Sequence, residues 1–429
     1  MYSIKVLVIG DNAFARSVIE KFSYDNNEQK LEIISISKQE NFSNLCENIY
    51  LPEYDIEKII DIVSARRISL SIACSEKLIA LGIVEAFQEQ GLNIFGPTST
   101  STEICFSHHA AKEFMHQNLI PSEPYVSFDN KEVCLAYLAH LNFPIIIRPD
   151  FLFETNYEKK VFIANDINNA TAFIEEYFSQ PFLSTYKKRL IIEAYSEGEE
   201  FCTSILYDGN TALSLVPIKM HREYNEYSLT FNEKSANSLS LGSADKLQLE
   251  INEKVIKPFL NALAQNNEDE ESIENRTSQR SFSGFISFIT KLNPEGEIVL
   301  DRFEVLAPDL SAELSLDLIE ENLFDLLFSC TQGKLNFYRD GLRYVHLTGV
   351  AVDLNYSKAA SSYLNEESFL QIERTASDAN YRIKVQILSS ELKDSVRLFI
   401  YAPTEIEAKN FMMTVATELN LFDESESLL

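Results

Sequence analysis

One cation closes a buried strand in this chain. Pro144-Ile145-Ile146-Ile147-Arg148-Pro149-Asp150 is an apolar run ended by Arg148. A guanidinium there can grip a phosphate through two parallel N–H bonds, or form a surface ion pair left over on the scaffold. A second polar constellation follows the strand Arg189 to Tyr195 (RLIIEAY): Ser196-Glu197-Gly198-Glu199-Glu200 is a turn with two acids after it, a pattern shared with ordinary exposed hairpins. His221 and Arg222 sit in a polar stretch and read as solvated loop residues rather than catalysts. Backbone cradles for phosphate need closely spaced glycines, because a side chain blocks close approach or positive φ. The chain has 12 glycines in 429 residues and no two separated by one residue, against a usual share of roughly 7%. A glycine-built phosphate loop is absent.

Composition narrows the class. With 429 residues, 45% of them hydrophobic, the chain can bury several cores and suggests two to four domains. A net charge of -28 argues against nucleic acid and anionic membranes as partners, and reads as a self-repelling cytosolic surface. No apolar run reaches the roughly 18 residues of a membrane span. The opening, MYSIKVLVIG, reads as a strand and not a signal peptide, so a cytoplasmic location is expected. Cys46, Cys74, Cys105, Cys134, Cys202 and Cys330 form no CxxC pair and are expected as reduced, mostly core thiols.

These residues need elements to hold them. Ile4 to Ile9, Gly10 and a helix Ala15 to Phe22 open a βαβ unit, continued by strands Leu31 to Ile36 and Ser69 to Ala73 and a helix Leu78 to Glu89. The strand Asn93 to Phe95 ends in the turn Gly96-Pro97-Thr98. After a polar connection, Ser107 caps a helix carrying Ala110, Ala111, Phe114 and Met115, which Ile120-Pro121 stops. Helices are expected over Glu132 to His140, Ala170 to Phe178 and Asp245 to Leu263, and strands over Phe201 to Tyr207 and Ala212 to Ile218. The acid-rich run Ala264 to Ser281 reads as a disordered surface loop. A hairpin, Gly284 to Leu292 and Glu297 to Leu306, turns at Asn293-Pro294-Glu295-Gly296. A helix Ser311 to Cys330 follows, then strands near Val345 to Asp353, Tyr381 to Leu388 and Val396 to Tyr401, and a helix Glu405 to Glu418.

In this order the elements, and above all NIFGPTSTSTEICFSHHAAKEFMHQNLIPSEPY from Asn93 to Tyr125, resemble phosphoribosylamine-glycine ligase (glycinamide ribonucleotide synthetase), an ATP-grasp family. The chain keeps GPT, Ser107, Lys112, Phe114 and Met115, and has His108 where the family has a nucleotide-contacting lysine. Arg148 falls on the lysine that meets nucleotide phosphates and Asp150 on an aspartate. Phe151 to Lys160 replaces the glycine-rich turn, with Lys159 or Lys160 as a late cation. By position Glu193, Ala194 and Tyr195 flank an adenine and Glu200 accepts from the ribose hydroxyls. The family's two magnesium ligands fall on Asp301, which can ligate or be a remnant, and on Phe303, which cannot ligate; strand alternation puts Glu304 on the opposite face. Gly10-Asp11-Asn12-Ala13-Phe14-Ala15-Arg16 stands in for the substrate-phosphate turn, with an acid and an aromatic where phosphate would sit. Glu76 matches the end of a later strand. His221 to Asn225 and the residues after them lack the paired glycines of the substrate-closing loop.

The resemblance implies an α/β chain: an ATP-grasp fold preceded by a Rossmann-like pre-ATP-grasp domain and followed by a small α+β C-terminal domain. The boundaries are 1–102, 103–332 with a lid at about 122–190, and 333–429. An active member joins glycine to phosphoribosylamine through an acyl phosphate made from ATP, giving glycinamide ribonucleotide, ADP and phosphate. Losing one preorganised donor of this kind costs roughly 3 kcal/mol of transition-state stabilisation, and several are substituted here. The leading expectation is thus a homologue with lost or altered ligase activity. The second is a working ligase with rebuilt loops that uses Arg148, Lys159 or Lys160, Glu200 and Asp301. ATP and Mg2+ are the cofactors if activity is retained, and none otherwise. The expected partner is a nucleotide or ribose-phosphate small molecule, with no nucleic acid or membrane, in a monomer or dimer.

Overall fold

A computed structural model describes residues 3–26, 30–40, 42–150, 161–179, 188–220, 223–225, 228–230, 237–238, 241–269, 282–306, 309–355, 364, 366–389 and 394–421. Strands β1 (Ile4–Ile9), β2 (Leu31–Ser37), β3 (Glu47–Tyr50), β4 (Leu70–Ala73) and β5 (Ile94–Phe95) form a parallel sheet in the order β3-β2-β1-β4-β5. Val6, Leu7, Val8 and Ile9 of β1 are all buried, so both faces of the strand are covered, as a parallel sheet requires. Helix α1 (Ala13–Asp25) starts at Asn12, whose side chain accepts from Ala15 N at 2.9 Å and donates to Cys74 O at 2.7 Å. Gly10 lies so close to the end of β4 that a Cβ would stand 2.8 Å from Cys74 O. Phe14 does not face the crevice above this turn. It is buried edge-on against Phe285, with ring centroids 5.3 Å apart.

Helix α2 (Ile56–Arg66) and strand β3 were not foreseen; β3 is only four residues long and has no buried residue. The expected helix Leu78 to Glu89 is two, α3 (Glu76–Ala80) and α4 (Ile83–Glu89), because Gly82 between them takes φ 83°. The polar connection after the GPT turn is in fact α5 (Ser99–Phe106), capped by Thr98, and α6 (His108–Gln117) follows with Ser107 as its cap. Serines and threonines favour helix starts for the same reason that they favour loops, so the residue types alone left this open.

A four-stranded antiparallel sheet comes next, from β6 (Tyr125–Phe128), β7 (Ile145–Pro149), β8 (Phe162–Ala164) and β9 (Leu190–Ala194), in the order β6-β9-β7-β8. Helices α7 (Lys131–Tyr137) and α8 (Ile167–Ser179) pack on it through Cys134, Phe173, Ile174 and Tyr177. Strand β10 (Glu199–Tyr207) starts the large sheet. The single strand expected over Ala212 to Ile218 is two, β11 (Ala212–Ser214) and β12 (Ile218–Met220), both paired to β10. Short strands β13 (Glu223–Asn225) and β14 (Ser228–Thr230) pair with each other, and β15 (Asn237–Ser238) joins β12. His221, Arg222, Lys159 and Lys160 lie outside the described residues.

Helix α9 (Leu241–Ile251) continues through one wide turn, Asn252–Ile256, into α10 (Lys257–Asp269). The helix therefore runs into the stretch expected as loop. The hairpin is β16 (Gly284–Leu292) and β17 (Ile298–Glu304). The long helix expected after it is broken at Ile319 to Asn322 into α11 (Asp309–Leu318) and α12 (Leu323–Thr331), with Asn322 capping the second. Strands β18 (Thr348–Asn355), β19 (Arg382–Ser389) and β20 (Asp394–Ala402) extend the same large sheet, so its order is β17-β16-β10-β12-β15-β18-β20-β19. Helix α13 (Glu366–Asp378), unforeseen from its weakly apolar sequence, and α14 (Glu405–Glu418) flank this end. Three parts of the chain meet at Lys384 of β19, which pairs with Glu20 of α1 and with Glu313 and Asp317 of α11.

The six cysteines are unpaired and five are buried. Among the described residues no helix is long and apolar enough to cross a membrane.

Candidate nucleotide cleft

Arg148, at the end of β7, is buried and not on the surface, because β7 is an inner strand and the side chain meets Asp301 of β17. Its Nη2 lies 2.5 Å from Asp301 Oδ1, and its Nε lies 3.2 Å from Glu193 Oε1. Glu193, on the neighbouring β9, is buried and takes a second cation: Lys112 Nζ of α6 lies 3.1 Å from its Oε2. Asp301 likewise takes a second, Arg302 Nη1 at 2.6 Å from Oδ2, and Arg302 Nε reaches Glu304 Oε1 at 3.0 Å. Lys112, Arg148 and Arg302 thus alternate with Glu193, Asp301 and Glu304 in one chain of contacts. Three positive groups meet three negative ones.

Burial by itself would push the Asp301 carboxyl up. Arg148 and Arg302, with Lys112 and Lys291 behind them, outweigh it and hold the group well below the usual carboxylate range. His108 responds in the opposite sense. Its ring is desolvated and faces Arg148, Arg302 and Lys112, which Asp301 offsets only in part, and its pKa falls to about 3. The imidazole is neutral at physiological pH, so His108 adds no cation to the cleft.

Asp150 works as a helix anchor. Its carboxylate accepts from Ser107 Oγ and His109 N, both at 2.8 Å, its carbonyl accepts from His108 N at 3.1 Å, and Arg189 lies 3.6 Å away. An acid at a helix N-terminus complements the unpaired N–H groups there. Tyr195, just past β9, is 38% exposed, with Lys291 Nζ 5.8 Å from its ring centroid. Glu200 lies on β10 opposite Met220 and Lys291, away from the Arg148–Asp301 contact in sequence and strand. The structure therefore brings His108, Arg148, Glu193 and Asp301 together, with Tyr195 and Glu200 on the adjoining turn and strand.

Strand β17 corrects the alternation argument. Ile289 pairs with Arg302 but Thr290 pairs with Leu300, so Asp301 is an extra residue in a β-bulge. The buried apolar residues before it are Ile298 and Leu300; after it they are Phe303 and Val305. Phe303 packs at 4.7 Å from Phe259 and 6.3 Å from Phe114 in an aromatic core. Glu304 is therefore not opposite Asp301; both are held by Arg302. The change of phase from even to odd apolar positions in IVLDRFEV was visible in the sequence, and would have found Arg302 and Glu304.

These residues do not suit magnesium as they stand. The ion needs carboxylate oxygens with open lone pairs at roughly 2.1 Å, and both oxygens of Asp301 already carry a guanidinium within 2.6 Å. Among the described residues no three His, Cys, Asp or Glu side chains come together as a metal cage.

A four-stranded antiparallel sheet set against a larger antiparallel one, with charged residues of both meeting in one buried network, fits the ATP-grasp class. Residues 4–104 match the N domain of phosphoribosylglycinamide synthetase and residues 106–272 match its ATP-grasp (A) domain. The chain belongs to the phosphoribosylglycinamide synthetase family. It is 24% identical over 340 residues to the phosphoribosylamine–glycine ligases of Pasteurella multocida and Clostridium acetobutylicum, covering 78% of this chain and 75% and 76% of theirs. Among solved structures, the Thermotoga maritima phosphoribosylamine–glycine ligase matches with a TM-score of 0.66 at 13% identity over 97% of both chains. The Staphylococcus aureus N5-carboxyaminoimidazole synthetase complexed with ADP matches with a TM-score of 0.66 at 11% identity, over 98% of this chain and 99% of that one.

Proposed function

We propose that this chain is a ligase-family protein in which ATP-dependent ligation has been lost, the scaffold persisting as a cytoplasmic binding or interaction protein. The observation that carries the reading is the contact of Arg148 with Asp301. A guanidinium that is to grip phosphate must present its N–H groups to the ligand. Here it is committed to two carboxylates of the protein. To admit a nucleotide triphosphate the network would have to break, leaving Asp301 or Glu193 short of a cation in a desolvated place. Magnesium would have to displace a guanidinium to reach Asp301. At the opposite crevice, the Asn12 side chain already caps α1 and ties it to Cys74, which uses the helix end that a phosphate would take. Any small ligand retained belongs to the nucleotide or ribose-phosphate class for which the fold is shaped.

Complementation tests the reading. Expression in a bacterial strain lacking phosphoribosylamine–glycine ligase should leave its purine requirement in place, with the protein accumulating in soluble form. Growth without purine would establish ligase activity and end the proposal.

A further inference from the structure

Two carboxylates, Asp301 and Glu304, lie on the same side of β17, although an unbroken strand would send residues three apart to opposite faces. The bulge makes the difference: Asp301 is the residue left without a cross-strand partner, and the residue that follows it, paired with Ile289, is an arginine. That arginine is buried, and it touches both acids: Nη1 at 2.6 Å from Asp301 Oδ2, Nε at 3.0 Å from Glu304 Oε1. Two like charges sharing a desolvated site require a cation between them, or one of them takes up a proton. A free divalent ion can fill that role, and so can a covalently attached group.

We propose that Arg302 is the resident counter-cation of this cleft, occupying the place that a divalent metal ion would take between Asp301 and Glu304. The proposal deepens the reading above and rests on it, since a cleft with a built-in cation has no need of a dissociable one. The guanidinium suits the task. It stays charged at any physiological pH, it spreads its donors over a plane wide enough to serve two carboxylates, and it is less strongly hydrated than an ammonium. It cannot bridge phosphate oxygens as an ion with open coordination positions does. The same insertion that lodges it moves Phe303 into the aromatic core with Phe114 and Phe259. Removing the guanidinium should therefore uncover a latent chelating pair.

Mn2+ serves as the probe, followed by the loss of its free-ion electron paramagnetic resonance signal. The full-length wild-type protein should bind it no better than the weakest protein sites. Arg302→Ala should bind it at least about tenfold more tightly, a change of about 1.4 kcal/mol. Glu304→Gln added to that variant should cancel the gain. Arg302→Lys keeps a cation and should remain as blind to Mn2+ as the wild type. If Arg302→Ala does not fold alone, Mn2+ should restore its cooperative thermal transition. Wild-type binding as tight as that of Arg302→Ala would overturn the proposal, as would no gain and no rescue in that variant, or an equal gain in Arg302→Lys. ATP binding by the wild type in excess EDTA would sink the proposed loss of nucleotide chemistry while leaving Arg302 in its role; Mg2+-dependent ATP binding would sink both.

Discussion

Arg148 and Asp301 stand 153 positions apart in the chain and 2.5 Å apart in the fold, joining the four-stranded sheet to the large one across the cleft. Such a pair is a poor measure of net stability, because two charges lose their hydration to form it. It is a good measure of commitment, because neither partner can leave without taking one of the other's two buried counter-charges: Arg148 would keep only Glu193, and Asp301 only Arg302.

Arg148→Met should therefore destabilise the protein by up to about 3 kcal/mol in urea unfolding, the low end of the range for breaking a buried ion pair, because Glu193 keeps Lys112 and Asp301 keeps Arg302. The double variant Arg148→Met with Asp301→Leu should lose less than the sum of the single changes, by roughly 0.5–3 kcal/mol. Strict additivity would mean that the contact is not made in solution.

Phe303 sits in the aromatic core although its neighbours Arg302 and Glu304 line the cleft. Phe303→Asn should cost about 3–5 kcal/mol, as loss of a buried phenyl ring does, and should bring no affinity for Mn2+. A mild effect on stability together with metal binding would place residue 303 beside Arg302 and Glu304 and show that β17 carries no bulge at Asp301 in solution.

His108 gives the cleft a pH signature. Its folded pKa, about 3, lies below an unfolded value near 6.5, so the unfolded chain binds more protons between those limits. Stability contributed by the neutral ring is present above the unfolded pKa and is lost as pH falls from about 6.5 towards 3. Thermal midpoints measured across that range should fall less steeply on acidification in His108→Asn than in the wild type. Equal slopes would show that the ring is not confined among Arg148, Arg302 and Lys112.

Glu313 works with the opposite sign. Burial first, then Glu20 and Asp317, raise its pKa to about 8 despite Lys384, and Gln386 Nε2 donates to its Oε1 at 2.6 Å. The folded state here binds the extra proton. Its stabilising effect is complete below the ordinary value of 4.5 and declines as pH rises to about 8. Glu313→Gln should flatten that decline in denaturation curves between pH 5 and 8; an unchanged slope would exclude Glu313 as its source.

The scaffold was legible because its signals are local and repeated. The apolar run of β1, the Ser107 cap, the buried run ending at Arg148 and the turn Asn293 to Gly296 each name an element without help from distant residues. Breaks inside long helices were missed where one residue decided them: Gly82 with its left-handed φ, and Asn322 as a new cap. Candidate positions in the cleft could be named, but not who holds whom. Arg148 looked able to serve a phosphate or an acid, and only the packing of β7 against β17 makes Asp301 its partner. The bulge at Asp301 hides the pairing of Arg302 with Asp301 and Glu304 from a strict period-two reading, since alternation fails wherever one residue is inserted.

Calorimetric titration of the full-length protein with Mg-ATP measures the central claim directly, since any triphosphate seated in this cleft must first part Arg148 from Asp301. The account predicts no saturable heat up to about 1 mM, which corresponds to binding weaker than about -4 kcal/mol. A saturable isotherm that EDTA abolishes and Arg148→Met weakens would contradict it.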